Sequence, residues 1–461
     1  MHGSAATCRA VALMLLVTAA PYALAEEAGG VVAAPTDTGT TPGLAGFHPV
    51  SDVTAHAAAV EDVKDLADAG NDYGAASDVY ENGKNSPGKT LKKMSTKFAN
   101  SETMQKEPLA VVLNAFWERF DYADAMISAA LAGTDAGRLG NYGSATLAKT
   151  DDARKQIIKK GAAYSSLWLY ALHEMEAALA KYETGSYDPA KGAPHLLDEV
   201  WAFYAGNSET GDGSGVGPYT GGEKFGPYFG TYGYELGTGG RSRVSLEVLY
   251  HLTAMQRYLQ TPGNKEALRD AARCVRAQFK VPIIQGCLKY AHQASSTDLT
   301  KDEKVAKIKA EAWAFCVGAL AFLNEADSEA AQAVEKQVTL NDAARPDWKV
   351  VKQAFSTKNL NKMGVSCQDV GVLGGGGIHS AKYVGEAQPY ESNDEQMSWC
   401  KDDAKLMKSN SHADSGQCKF TRMPTCSSAV VCSAASALQA SSALFWSAVV
   451  ALCSLMATGR A

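Results

Sequence analysis

Apolar residues recur at three- to four-residue intervals through most of the chain. Val53, Val60, Val63, Leu66 and Ala67 mark one face of a helical stretch over 52–80, which closes in the turn-rich "VYENGKNSPGKTL". Pro108 is a good first helical residue for "PLAVVLNAFWERFDYADAMISAALAG", and Gly133 stops it. Asp151 and Asp152 put acid in the first turn of a long helical run over 151–184. Further helical runs are expected at about 194–206, 242–260, 264–294, 299–325, 329–343 and 347–362, and alternating strand-like stretches are almost missing. The expected fold is all-α, a helical bundle.

Two segments break the period. Residues 206–243 carry Gly at nearly every third place, with Tyr219, Tyr228, Tyr232 and Tyr234, and read as a long, ordered, functional loop. Beyond about 364 the chain turns Gly-rich and Cys-bearing, a disulfide-tied C-terminal region. One pattern repeats. "EVWAFYAG" at Glu199–Gly206 returns as "EAWAFCVG" at Glu311–Gly318, each preceded by a helix carrying a histidine, His173 or His292. A duplicated helical hairpin accounts for this, with repeat units at about 108–206 and 242–325, because two copies close a core that one cannot. The repeated Trp and Phe then belong to the core.

The ends belong outside the fold. Residues 1–25 have an early Arg9, an apolar run and Ala23-Leu24-Ala25, which spells a secretory signal peptide, followed by a flexible linker over 26–51. Residues 427–461 place small residues before a weakly polar spacer and an apolar end with only "TGRA" beyond it. That order favours a glycolipid-anchor signal; a retained transmembrane helix is the alternative. Either way the expectation is a secreted, membrane-anchored protein at the cell surface or in the periplasmic space. The body then divides into a helical domain at 52–330 and a helical, then Cys/Gly-rich, region at 331–426.

The 461 residues are 46% hydrophobic and 20% charged, the profile of a folded protein. A net charge of -6 without Lys/Arg clusters argues against nucleic acid as a partner. Of ten cysteines none shows a CxxC spacing, so outside the cytosol disulfides are the expectation.

Candidate chemistry lies in the first repeat. His173 and Glu176 are i, i+3, with Glu174 adjacent; His195, Asp198 and Glu199 are i, i+3, i+4; Glu247 and His251 are i, i+4. Such spacings aim carboxylates and imidazoles from one helix face, as in bundles that hold metal between helices. With Tyr204 these residues form the expected metal-binding set. In the second repeat only His292 and Glu311 remain, with Ala310 in place of Asp198, so a duplicated site there is expected to have decayed. A Gly-rich lead-in to a helix with Arg241 and Arg243 offers an anion seat, with ordinary capping by Ser242 or Ser245 as the plain alternative.

The stretches "DYGAASDVYENGKNSPGKTL", "FDYADAMISAALAG", "LHEMEAAL", "HLLDEVWAFYAG" and "EKFGPYFGTYG" resemble, in order, landmarks of the algal low-iron-inducible periplasmic proteins (the Fea-type domain), a group related to phytotransferrins. The resemblance runs from about 52 to 330. It implies ferric iron, Fe(3+), as the captured ligand and carbonate as a synergistic anion; separately, no Ser or Cys nucleophile stands in an elbow setting, so no enzymatic activity is expected. His195 to Glu199 fits the family's His-x-x-x-Glu motif. The chemistry agrees, since Fe(3+) is hard and prefers carboxylate and phenolate oxygens. Two alternatives stand: a non-catalytic surface protein responsive to growth conditions, and an imelysin-like metalloprotein. A zinc protease is disfavoured because Ala177 stands where His-Glu-x-x-His needs its second histidine.

Overall fold

Thr54–Asp68 (α1) and Tyr73–Asn82 (α2) open the described fold. The computed structural model describes residues 46–143, 147–206, 216–232, 242–297, 299, 301–371 and 373, all within one compact unit, Thr40–Met423. The expected signal peptide, the anchor signal, Tyr234, Arg241, Cys400, Cys418 and Cys426 lie outside the described residues. Next come Leu91–Ser95 (α3), Pro108–Trp117 (α4) and Tyr122–Ala132 (α5). Glu118, in the left-handed region at φ 57°, separates α4 from α5 where the period alone suggested one helix.

Asp151–Gly161 (α6) is capped by Thr150, whose hydroxyl accepts from the Ala153 amide. It runs through a π-helical turn, Ala162–Leu167, into Trp168–Glu183 (α7). Ala193–Ala205 (α8), Pro218–Phe229 (α9), Arg243–Tyr258 (α10), Lys265–Ser295 (α11) and Asp302–Ala326 (α12) follow. Ser328–Val338 (α13), Trp348–Ala354 (α14), Thr357–Lys362 (α15) and Cys367–Val370 (α16) complete the described chain. The fold is all-α, and among the described residues there is no strand.

The Gly/Tyr-rich segment departs from its expectation as a continuous loop, because α9 lies inside it. Pro218 starts the helix and Gly230 ends it, while the internal glycines serve close approach. A Cβ on Gly221 would stand 2.6 Å from the Tyr164 hydroxyl, and one on Gly222 2.7 Å from Val244 Cγ1.

The two repeats are two helical hairpins, α7 with α8 and α11 with α12, each packed along most of its length. Trp201 and Trp313 are both 0% exposed. Burying a side chain of that size removes roughly 200 Å² from water and contributes about 5 kcal/mol. That is the reason for the repeated Trp. The hairpins are joined by the Trp168 indole N–H, which donates to the Phe279 carbonyl at 2.7 Å. A Cys287–Cys316 disulfide ties α11 to α12. Cys316 occupies the place of Tyr204 in the first repeat. Cys274 and Cys367 are also disulfide-bonded. Gly206 ends α8 at φ 66°, whereas Gly318 lies within α12, so the repeated glycine has two different uses. Among the described residues no helix is long and apolar enough to cross a membrane.

Candidate metal centre

The centre is assembled from four elements. Asp62, fully buried on α1, organises the turn that follows α2: its carboxylate accepts from the amides of Lys84 (3.1 Å), Asn85 (2.7 Å) and Ser86 (3.2 Å). The turn so held carries Lys89 inward, just before the capping residue Thr90. There the Lys89 ammonium sits between two carboxylates, 3.1 Å from Glu174 Oε1 on α7 and 2.7 Å from Glu199 Oε2 on α8. Both glutamates are only 4% exposed. Lys89 lies 5.1 Å from the Tyr170 ring centroid and 5.5 Å from that of Phe203, two aromatic walls of the same recess. Burial opposes the Lys89 charge, but Glu174, Tyr170 and Glu199 together hold its pKa above the ordinary lysine value.

Two imidazoles complete the group. His56 on α1 has its Nε2 3.7 Å from Glu199 Oε2, and His195 on α8 has its Nε2 3.1 Å from Glu199 Oε1. Burial lowers the His56 pKa; Lys89 and His195 add to the lowering, against Glu199 and Glu174. The net effect favours the neutral imidazole of His56. The other nitrogen of His195, Nδ1, is 2.8 Å from the Ser51 hydroxyl, which donates its own proton to Asp198 Oδ2 at 2.7 Å. A hydroxyl whose proton is spent can accept only, so Nδ1 is the N–H donor and Nε2 is the nitrogen turned to the centre. Metal-ligating histidines are oriented in this way, through a second polar group that fixes the ring.

Asp198 stands behind this relay. Besides Ser51 Oγ it accepts from the amides of Val50 (2.9 Å) and Ser51 (2.8 Å) and from the Gln256 side chain (2.9 Å). Burial raises its pKa to about 7, while these four donors favour its ionised form. Both oxygens are engaged, so Asp198 orients His195 and does not face the centre.

The remaining sequence-predicted residues lie elsewhere. His173 has its Nδ1 2.9 Å from Glu107 and its ring against Phe98 and Tyr170, next to the recess but pointed away from Lys89. Glu176 binds Arg276 at 2.6 Å. Tyr204 is fully buried among Trp201, Tyr219 and Phe279, and burial holds its phenol far above the ordinary value, so a phenolate there is strongly opposed. Glu247, with its pKa raised to about 7 chiefly by burial and then by Asp369, pairs with Arg243 at 2.8 Å. Arg243 also reaches Asp369 at 3.2 Å, and Ser242 caps α10 by accepting from the Ser245 amide. The plain capping alternative therefore describes the Arg243 end, and Arg241 lies outside the described residues. His251 is buried with its Nε2 unpartnered. The expected convergence of His173, Glu176, His195 and Glu199 on one pocket is not what the fold builds: His195 and Glu199 meet His56, Glu174 and Lys89 instead.

Sequence reading missed His56, Lys89 and the use of Glu174. The only signal for Lys89 was its place in the "NSPGKT" turn. Among the described residues no three His, Cys, Asp or Glu side chains stand ready around an ion, and the Lys89 ammonium takes the point between the two carboxylates.

No curated protein and no solved structure matches the chain. Residues 21–385 match the model of a family described as low iron-inducible periplasmic protein. With that match spanning most of the sequence, the chain belongs to the Fea1 family of low iron-inducible periplasmic proteins.

Proposed function

We propose that the chain is a cell-surface ferric iron binding and assimilation protein, that Glu174, Glu199, His56 and His195 take the ion, and that Lys89 holds their place until it arrives. The observation that carries this reading is the pairing of two buried carboxylates with a single ammonium, with two imidazole nitrogens turned to the same carboxylate. A trivalent cation satisfies two carboxylates better than one ammonium does, and hard oxygen donors with some imidazole suit Fe(3+). Lys89, one third exposed on a turn, has room to swing out. Once displaced it leaves an ammonium beside the site as counter-charge for a synergistic carbonate. Secretion and a C-terminal lipid anchor or membrane helix, both read from the sequence, put the site where extracellular iron is met.

A second reading, a non-catalytic surface protein, is favoured by the fact that Lys89 already satisfies both carboxylates. The two separate by titration of the secreted 26–426 chain with Fe(III) delivered from nitrilotriacetate, with and without bicarbonate. One tightly bound iron per chain near neutral pH, released on acidification as imidazoles and carboxylates take up protons, is the expected result. Absence of saturable binding in both buffers selects the second reading.

A further inference from the structure

Without Lys89, the recess between α1, α7 and α8 would present two imidazole nitrogens and two carboxylates. Such a mixed nitrogen and oxygen donor set suits borderline divalent ions such as Zn2+ as well as a hard trivalent one. Its parts stand close to one another. His195 Nε2 is 3.1 Å from Glu199 Oε1, His56 Nε2 is 3.7 Å from Glu199 Oε2, and the two imidazole ring centroids are 6.1 Å apart. Four-coordinate Zn2+ with nitrogens at about 2.0 Å holds two imidazole centroids roughly 5 Å apart, so a shift of about an ångström brings both rings to one ion. The His195 ring also asks for a cation. Its Nδ1 proton is committed to Ser51, so a neutral ring turns the Nε2 lone pair to a carboxylate oxygen 3.1 Å away. Two acceptors facing each other at that distance repel unless a positive centre lies beside them.

Lys89 stands against such ions. Its ammonium is 2.7 Å from Glu199 Oε2 and 3.1 Å from Glu174 Oε1, so a metal ion reaches both carboxylates only by expelling it. Each incoming ion must break the same two contacts, and its affinity falls by the same factor whatever its charge. Ions that the bare donors hold only moderately are lost, and the one with the strongest hold on carboxylate oxygen stays. The competitor cannot diffuse away. Asp62 fixes the turn that carries Lys89 by accepting from the Asn85 and Ser86 amides, so the ammonium acts at the high effective concentration of a tethered group.

We propose that Lys89 is a tethered competitor that keeps divalent ions of the Zn2+ class out of a recess whose donors would otherwise bind them. This selectivity rests on the reading of Glu174, Glu199, His56 and His195 as ligands, and adds to it the ions that are refused.

Titration of the metal-free 26–426 chain with Zn2+ against a chromophoric chelator near neutral pH tests it, comparing wild type with Lys89→Met, Lys89→Gln and Lys89→Arg. The two neutral variants should each bind one Zn2+ at least about tenfold more tightly than wild type, whereas Lys89→Arg, which keeps a cation in place, should show no such gain. Adding His195→Ala to Lys89→Met should cancel the gain. Co2+ in place of Zn2+ reads the geometry: the intense visible absorption of a four-coordinate ion is expected in Lys89→Met and not in wild type. Helical circular dichroism checks that each variant folds, and the second neutral side chain guards against one that does not. Wild type that binds Zn2+ as tightly as the neutral variants, an equal gain in Lys89→Arg, or a gain that survives His195→Ala overturns the proposal. Fe(III) titration of wild type separates it from the reading it rests on. Iron bound by wild type without a zinc gain in the neutral variants defeats the tethered competitor alone, and a zinc gain without iron binding upholds it and defeats the iron reading.

Discussion

Replacing Lys89 by Met keeps the length of the side chain and its contact with Tyr170 and Phe203, and removes only the charge. Glu174 and Glu199 then face each other, both 4% exposed, with no ammonium between them. Removing one partner of a fully buried pair costs about 3–5 kcal/mol. The Lys89 side chain is 32% exposed, so solvent screening brings the figure to on the order of 2–3 kcal/mol. For a domain of this size that lowers the melting temperature by roughly 4–6 °C. The same substitution clears the point between the carboxylates, so Fe(III) should bind Lys89→Met more tightly than wild type. At about 100 times its dissociation constant the metal returns about 2.7 kcal/mol, enough to offset the loss. Differential scanning calorimetry of both proteins, with and without Fe(III) nitrilotriacetate, checks each part. If Lys89→Met is as stable as wild type without metal, or if Fe(III) stabilises wild type more than the variant, the placement of the cation site between Glu174 and Glu199 is refuted.

Other outcomes follow from the same geometry. Ser51→Ala, which removes the hydroxyl between His195 and Asp198, should weaken Fe(III) binding by roughly 10–100-fold with an unchanged helical circular dichroism signal. His251 is buried, and its pKa is held down at about 4 by burial and then by Arg273. The folded state therefore refuses a proton that the unfolded state accepts, and this contribution, complete above about pH 6.5, is lost as pH falls toward 4; its full size is on the order of 3 kcal/mol. Urea unfolding of His251→Leu across that range should show a smaller acid-induced loss than wild type. The Cys287–Cys316 bridge closes a loop of 29 residues in sequence separation, so the double Ala variant should unfold with about 3.5 kcal/mol less stability in chemical denaturation.

Much of the architecture was legible because a 3.6-residue period survives in any single helix: the runs at 194–206, 242–260, 264–294 and 299–325 recur with ends shifted by a few residues, whereas those at 52–80, 108–133 and 347–362 are each divided into two helices. The helix Pro218–Phe229 was not legible, because glycines chosen for close contact with Tyr164 and Val244 look like loop residues in a linear reading. The site was half legible. His195 and Glu199 lie on one α-helix at i, i+4 and were found together. Glu176 was favoured over Glu174, yet residues two apart on a helix differ by about 200° in direction. Glu174 therefore faces Lys89 while Glu176 faces Arg276 on α11. His56 and Lys89 are brought in by α1 and by the turn that Asp62 organises, contacts between segments distant in sequence that no local spacing encodes.

X-ray absorption at the iron edge of the Fe(III)-loaded 26–426 chain addresses the central claim most directly, comparing wild type with a His56→Ala/His195→Ala double variant. Oxygen-dominated first-shell scattering with an imidazole contribution that disappears in the double variant is the result expected here. An imidazole signal that persists unchanged in the double variant, or a wild-type spectrum with no imidazole scattering at all, contradicts iron binding at the recess between α1, α7 and α8.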